Sequence, residues 1–569
     1  MHSNAYNPMK KQCLLFATLL LVSLFTFAQQ WGNFTLYSVS GSTTAYLVDT
    51  NGVNHHIWTG LSGGTGYSSY LMPGGVLWRT VRNTGNQISG GGVTGRVQKV
   101  AYDGTLLWDF VYSSSTYCLH HDICPLPNGN VLLISYDVKT SAEATAAGVA
   151  VGHTMWSEKI IEVQPTGATT GNIVWEWRFW DHLTQNIDST KANYHPTVVD
   201  HPELMNVNFQ NSSTTRDWIH MNGIDYNQAL DQIVVSSHNL DELYVIDHST
   251  TTAEAAGHTG GNSGKGGDFL YRWGNPSSYA AAGVRIFDVV HDAHFIPQDC
   301  PNAGYIVGYN NNGISANQSC VDMANPPYNG YNYLINPGSA YAPITYTERI
   351  PCNGHNSNMG NSQQLPNGNS LICIAQSGII YEVDSSNTIL WTKNAGGSVA
   401  QAFRYSPCFV SGTPPVVPTI IASADTLYTD LATSYQWYEN GTPITGATGA
   451  FFVPDHDGYY AVVVLDANGC PSDVSAPYSY TNTTDIGQIW TNRDLVVSPN
   501  PTRGPLRLTG GAVDNKQFTV TVYSADGRQI FRNVNTSQID LSGVTPGVYT
   551  LSFAGHHTSL TQRLVIVAE

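Results

Sequence analysis

Five times along this chain two apolar segments, each closed by a polar turn, lead into a segment that carries Trp. Tyr46-Leu47-Val48-Asp49 leads to Ile57-Trp58, and Val100-Ala101-Tyr102-Asp103-Gly104 leads to Leu107-Trp108. Ile160-Ile161-Glu162-Val163 leads to Val174-Trp175, Leu243-Tyr244-Val245-Ile246-Asp247 to Leu270-Tyr271-Arg272-Trp273, and Ile380-Tyr381-Glu382-Val383-Asp384 to Leu390-Trp391. Strand, turn, strand, turn and Trp strand at a regular period is the pattern of propeller blades. Five blades read as complete, starting near Tyr70, His121, His220, His291 and His355. A sixth is split, with outer strands from Phe34 to Trp58 and an inner strand from Ala402 to Phe409. Strands from both ends of the region then close the ring and remove its exposed edges. Two insertions, Thr140 to Ser157 and Asp181 to Asp217, are expected to decorate one face.

Four of the inner strands carry a histidine near their start. Leu119-His120-His121-Asp122-Ile123 precedes the turn Pro127-Asn128-Gly129-Asn130 and the apolar run Val131 to Ile134. Ile219-His220-Met221-Asn222 precedes Gln232 to Val235, Val290-His291-Asp292 precedes Tyr305 to Val307, and Gly354-His355-Asn356 precedes Leu371 to Ile374. Inner strands of a propeller surround a central channel, so residues at equivalent ends converge however far apart they lie in sequence. Four converging imidazoles are suited to act as nucleophile and as general acid or base near neutral pH. A zinc site would show tighter local spacing, such as His-x3-His. The plainer alternative is that His and Asp cap the inner strands through hydrogen bonds. That holds well for any one of them and less well for four together.

A chain of 569 residues exceeds one core, so several domains are expected. Few charged residues and abundant Gly, Asn, Ser and Thr suit a secreted, turn-rich, all-β protein. A formal charge of -17 argues against nucleic acid as a partner. Met9-Lys10-Lys11 followed by an apolar run to Phe27 and by Ala28 reads as a secretory signal peptide over residues 1–28. The run is too short for a membrane anchor, and no later stretch reaches spanning length. Of the nine Cys, Cys13 lies in that signal. The others would meet an oxidising compartment. Cys300–Cys320 is the preferred disulfide, and Cys118 with Cys124 could close a small loop. Gly260-Gly261-Asn262-Ser263-Gly264-Lys265-Gly266 lacks the full phosphate-loop pattern and reads as a flexible loop.

The propeller is assigned to residues 29–410. Beyond the Pro-rich linker at 411–418, Ser434-Tyr435-Gln436-Trp437-Tyr438 and Gly458-Tyr459-Tyr460 are similar to an immunoglobulin-like sandwich with a buried Trp, ending near residue 482. Trp437 reads as core packing, and only Cys470 is present where an inter-sheet disulfide would need two. Residues 495–569 form a small β-sandwich in which Ser498-Pro499-Asn500-Pro501 and Pro546-Gly547-Val548-Tyr549 follow in order. This resembles the C-terminal sorting domain of type IX secretion cargo in Bacteroidetes. The resemblance implies export across the outer membrane to the cell surface or medium, with the secretion machinery as partner.

The span from about Tyr70 to Phe409 resembles the arylsulfate sulfotransferase family. The matching pieces are His120-His121-Asp122 before Leu-Pro-Asn-Gly-Asn, Asp217-Trp218-Ile219-His220-Met221-Asn222, Val234-Val235-Ser236-Ser237 and His291-Asp292 before Pro297. The resemblance implies a six-bladed propeller enzyme that moves a sulfuryl group from a phenolic sulfate donor to a phenol acceptor. It implies a sulfohistidine intermediate and no nucleotide cofactor. His291 would be the nucleophile. His220 and His121 would bind sulfuryl oxygens or protonate the leaving phenolate, with His120 as a substitute for His121. After Ser-Ser the family typically has Arg, and here His238 stands in its place. His offers fewer donors and only sometimes the charge, so Arg216, Arg272 and Arg285 are the arginines that could supply it. The rival reading, favoured by the missing Arg, is a catalytically silent propeller that binds a ligand or surface glycan.

Overall fold

A computed structural model of the protein describes residues 34–411, 415–423, 425–444, 446–466, 470–481, 495–509, 518–524, 528–555 and 559–568. The expected signal peptide lies outside the described residues. The chain divides into two compact units, Met1–Pro454 with Gly458–Tyr480, and Asp455–Asp457 with Thr481–Glu569.

The first unit opens with six four-stranded antiparallel sheets. Their innermost strands are Thr65–Met72, Tyr117–Pro125, Met221–Asn227, Val290–Phe295, Asn361–Gln364 and Ala402–Tyr405. Each inner strand packs on the next, and the last packs on the first, so the sheets form a closed ring of blades. Closure is made within the sixth sheet, where Leu36 pairs with Phe403 and Tyr37 with Ala402. The other three strands of that sheet are Phe34–Ser38, Ala45–Val48 and Asn54–Trp58.

The outer-strand tryptophans explain why the repeat carries them. Trp58 donates its indole N–H to the Ala101 carbonyl (2.9 Å) in the next sheet. Trp108 likewise reaches the Thr170 carbonyl (2.9 Å), and Trp175 reaches Thr250 Oγ1 (3.1 Å). Trp58 and Trp108 are almost fully buried. Each ring fills the gap between neighbouring blades, and its one polar atom ties to the turn beyond.

Four of the inner strands break register on their neighbour, between Thr65 and Ser69, Leu119 and Ile123, Met221 and Gly223, and His291 and His294. The backbone is left-handed at His121 (φ 50°), His220 (φ 56°) and Asp292 (φ 60°). A bulge of this kind re-aims a side chain out of the pleat. It turns the histidines into the ring instead of the space between sheets.

Beyond the ring, the first unit continues into a two-sheet sandwich. One sheet holds Ile421–Ser423, Thr426–Tyr428 and Phe451–Phe452; the other holds Ser434–Glu439, Thr442–Pro443, Gly458–Leu465 and Tyr478–Tyr480. Trp437 is fully buried between them and donates to the Gly449 carbonyl (2.9 Å). Tyr438, Ala461 and Val463 pack on Ala229 of the third blade. A cavity of about 390 Å³ lies at this seam, lined by Tyr226, Phe295, Gln364 and Tyr405 together with Val463 and Val474. These propeller residues sit at the C-terminal ends of inner strands, so the sandwich covers the end of the ring opposite the histidines.

The disulfide expectations fail. Cys118, Cys124, Cys300 and Cys320 are all free thiols. Cys320 pairs across from Asn310, whereas Cys300 lies in the turn before Ile306, at the other end of that strand. Several residues at about 3.3 Å each put the two beyond the 7 Å Cα limit for a bridge. Cys118 and Cys124 lie on either side of the bulge in a single strand. The disulfide that forms is Cys408–Cys470, with Cα atoms 5.6 Å apart, and it ties the end of the propeller to the sandwich.

The second unit has two sheets. One comprises Val496–Ser498, Pro505–Thr509 and Gln538–Asp540; the other comprises Gln529–Val534, Phe518–Ser524, Gly547–Gly555 and Ser559–Ile566. Val520, Val522, Leu551, Phe553 and Leu564 form its core.

Arg404 locks the closing strand. It donates to Thr35 Oγ1 (2.8 Å) in its own sheet and to Glu382 Oε2 (2.8 Å) in the fifth, and both charged side chains are buried. Arg404→Ala would leave the Glu382 charge buried without its cation, at a cost of about 3–5 kcal/mol. Chemical denaturation should show that loss, with much of it recovered in the Arg404→Met/Glu382→Leu double variant. An Arg404→Ala protein as stable as the parent would refute this account of closure.

Candidate active site

Four imidazoles stand in a row at one end of the ring. Ring centroids are 4.7 Å apart from His121 to His220, 5.0 Å from His220 to His238 and 5.4 Å from His238 to His291. Tyr67 extends the row beyond His121 at 5.0 Å. The Tyr67 hydroxyl is buried without a hydrogen-bond partner. The structure therefore brings together all four expected site residues.

Each ring is held by its Nδ1. His291 Nδ1 lies 2.7 Å from Asn311 Oδ1. The Asn311 amide group donates to the Asn356 and Met359 carbonyls, so its oxygen must accept and His291 Nδ1 carries the proton. Nε2 of His291 then holds the lone pair, and the Met359 N–H donates to it at 3.1 Å. His238 Nδ1 lies 2.7 Å from Asn239 Oδ1, whose own amide group donates to the Asp217 carbonyl. His220 Nδ1 lies 2.5 Å from Asp217 Oδ2. His121 Nδ1 lies 2.9 Å from His120 Nδ1, and His120 Nε2 lies 2.8 Å from Glu158 Oε2. His120 therefore links His121 Nδ1 to the Glu158 carboxyl in one buried chain. His120 is thus the inner partner of His121 and not its substitute.

Burial sets the charge states. Desolvation holds His291, His121 and His120 well below the usual imidazole value, and His238 is lowered as well. The neighbouring rings add to the effect, because one imidazolium disfavours the next. Burial drives Glu158 well above the ordinary carboxylate range. Among the described residues no three nitrogens of the row converge closely enough to share one ion. The arrangement is one of separate bases with fixed tautomers.

The Asp of each His-Asp pair has a different task. Asp122 accepts from Tyr70 Oη (2.8 Å) and Gln401 Nε2 (3.1 Å), and burial raises it to about 7. Asp292 accepts the Ser362 N–H (2.8 Å). These carboxyls tie inner strands to one another, which is the capping role foreseen for His and Asp together and taken by Asp alone.

The Gly90-Gly91-Gly92 turn lies over the row. A Cβ on Gly91 would stand 2.7 Å from His220, and one on Gly92 would stand 2.1 Å from His121. Only glycine permits this approach.

His355 is not in the row. Its blade begins at Asn361, and the preceding loop bends at Met359 (φ 60°) and Gly360 (φ 98°). His355 Nε2 instead lies 3.0 Å from Asn312 Oδ1. That blade contributes the Met359 amide in place of an imidazole.

Of the three arginines, Arg272 is buried against Glu242, and Arg285 pairs with Asp241. Arg216 lies 5.5 Å over the Trp156 ring, and Trp156 contacts Tyr136, which stacks on His120. Of the three it is the one joined to the site, through this series of ring contacts. Glu158, Asn311 and the Met359 amide were missed from sequence. Asp217 had a signal, three residues before His220 within the quoted motif.

A family model described as arylsulfotransferase (ASST) matches residues 29–394. A model described as secretion system C-terminal sorting domain matches residues 496–567, and it marks the chain for type IX secretion to the cell surface or the extracellular space. None of the curated proteins matches the chain. Among solved structures, a Bacteroides caccae protein of unknown function is similar at 12% identity, over 65% of this chain and 98% of that one, with a TM-score of 0.36. The β-propeller domain of Cps50 (Swd1) from Myceliophteria thermophila is similar at 10% identity over 70% and 93%, with a TM-score of 0.31. The periplasmic gluconolactonase of Pseudomonas aeruginosa is similar at 10% identity over 94% and 99%, with a TM-score of 0.27. With the family match spanning more than half its length, the chain belongs to the arylsulfotransferase family.

Proposed function

We propose that this protein transfers a sulfuryl group from an aryl sulfate to a phenol by way of a sulfohistidine on His291. The observation that supports this most is the fixed tautomer of His291, proton on Nδ1 against Asn311 and lone pair on Nε2. A nucleophilic imidazole needs that lone pair, and burial keeps it unprotonated.

In the first half, His291 Nε2 bonds to sulfur as the S–O(aryl) bond breaks. The departing oxygen keeps the bonding pair and takes a proton from His220 Nε2. In the second half, the acceptor hydroxyl gives its proton back to His220 Nε2, its oxygen attacks sulfur, and the S–N bond breaks. Asp217 holds His220 Nδ1 and so orients its Nε2 for this exchange. The transition state is expected to be loose, with charge on the peripheral oxygens. His121 and His238 then serve as donors to those oxygens once protonated, and the Met359 N–H, which leaves the His291 Nε2 lone pair as sulfur arrives, becomes a further donor beside them. Arg216 on Trp156 supplies the permanent cation at the rim that His238 cannot.

The pH dependence follows from the lowered values. A His whose value falls below 6.5 stays neutral further into acid, so His291 remains competent below pH 6.5 and is lost only at its depressed value. His121 and His238 must gain protons to receive an anion, so substrate binding should take up protons and weaken as pH rises. Profiles of kcat/KM should thus show an acid limb below pH 6.5 and a decline on the alkaline side. An acid limb above pH 6.5 would contradict the role of His291.

Quenching the enzyme with donor alone and mapping the adduct by mass spectrometry tests the assignment. His291→Ala should remove both the adduct and turnover. His220→Ala should slow adduct formation on the order of a hundredfold. The loss should be larger for donors with basic phenolates than for a nitrophenyl sulfate. A sulfuryl group on His121 or His220 would overturn the scheme. Failure to find adduct or turnover with any chromogenic aryl sulfate would favour the silent, ligand-binding propeller.

Removing residues 495–569 should leave the protein in the periplasm with its specific activity unchanged. Secretion of the truncated protein, or loss of its activity after purification, would count against separate roles for the two parts.

A further inference from the structure

Away from the histidine row, His182, His258 and Asp268 bring three metal-type donor atoms within 4.8 Å of one another. His182 follows the single turn Phe179–Asp181 that ends the outermost strand of the second blade. His258 and Asp268 flank the glycine-rich loop that resembled a phosphate loop in sequence.

His182 Nδ1 lies 2.8 Å from Asp268 Oδ1, and His258 Nδ1 lies 2.7 Å from the same oxygen. The other nitrogen of His182 decides what this means. Its Nε2 lies 2.9 Å from the Ala255 carbonyl oxygen, which can only accept. Nε2 therefore carries a proton, and in the neutral ring Nδ1 turns its lone pair toward a carboxylate oxygen. Two lone pairs at that distance repel, so the contact needs a positive charge between the atoms, either a proton on Nδ1 or a metal ion. A ring N–H given to a backbone carbonyl, with the opposite nitrogen facing a carboxylate, is the outer-shell pattern of a metal-bound histidine.

The His182 ring is held rigidly. Its side chain is fully buried, and Trp177 lies parallel to it with centroids 5.5 Å apart. The Gly267 backbone is so close that a Cβ there would stand 2.7 Å from Nε2. Asp268 is 8% exposed and His258 is 59% exposed, so the group has two fixed donors and one on an open side. Two imidazoles and one carboxylate suit zinc, with water as a fourth ligand. Calcium and magnesium would ask for oxygen donors throughout. Bonds of about 2.0–2.1 Å in a tetrahedron separate ligand atoms by about 3.3 Å. His258, being exposed, has room to retreat by that difference, and the Asp268 carboxylate must turn by a similar amount to open its 2.8 Å contact with His182.

We propose that His182, His258 and Asp268 bind one zinc-class divalent ion, which fastens the glycine-rich loop to the end of the second blade. The loop would then be a metal-closed flap on the propeller wall, separate from sulfuryl transfer.

Zn²⁺ titrated into chelator-treated full-length protein, followed by calorimetry and thermal unfolding, tests this. One saturable site and a rise in Tm reversed by EDTA are expected. His258→Ala, a surface change that should not disturb folding, should weaken that site by more than about tenfold. His220→Ala should leave it intact. Equal affinity in His258→Ala, loss of the site in His220→Ala, or no stoichiometric binding in the parent would each overturn the proposal. The group would then be a His182–Asp268 ion pair closed by a proton.

Discussion

The chemistry of this end of the propeller depends on one recurrent constraint, the commitment of every histidine Nδ1 to a partner in the protein. An imidazole with a free Nδ1 could turn or exchange tautomers, and its reactive nitrogen would not be defined. Asn311, Asn239, Asp217 and the Glu158–His120 pair remove that freedom at His291, His238, His220 and His121 in turn. The partners differ in charge, and that difference separates the roles. The two amide oxygens carry no net charge, whereas Asp217 is a carboxylate that forms an ion pair with His220 when that ring is protonated. In the proposed scheme that difference assigns nucleophile and acid–base among four side chains of one type.

Holding these rings inward costs backbone strain. Left-handed φ at His121, His220 and Asp292 costs on the order of 1–3 kcal/mol each and persists only where the surroundings dictate it. The ring supplies those surroundings. Trp58, Trp108 and Trp175 fill the seams between sheets, and the buried Asp122 and Asp292 carboxyls tie inner strands across the channel. His121 and Asp292 lie within register shifts and His220 directly before one, as expected where packing has been given up to aim a functional group.

Much of the fold was legible because period-two strands, Asn-Gly turns and outer Trp residues are local signals. The split sixth blade could be read for the same reason, since both of its parts carry the pattern. His121, His220 and His291 could be read because each stands shortly before the apolar hairpin of its blade, His220 just ahead of the inner strand, His291 near its start and His121 at its bulge. His355 was misread because its loop adds residues before Asn361, and spacing alone did not reveal the bend at Met359 and Gly360. The partners were harder. Glu158 meets His120 from 38 residues away, and the Met359 amide meets His291 from 68 away, through pairings that no local pattern records. The cysteines failed for a related reason. A shared repeat does not put Cys300 and Cys320 at the same end of a strand, and Cys408 finds its partner in another domain.

The way the ring closes also fixes an order of events. Thr35 and Arg404 are 369 residues apart yet belong to neighbouring strands of one sheet. A chain delivered N-terminus first must keep the Phe34–Ser38 edge unsatisfied while five further blades emerge. Loop closure over such a span adds little free energy, because the entropic term grows only logarithmically. The burden is kinetic. The last contact made is the one that removes two open sheet edges, and until then the nascent propeller is an arc able to pair with a neighbour. Joining Tyr405 to Phe34 by a short turn and opening the chain between two other blades would make the sixth sheet local and move this exposed interval elsewhere in the ring.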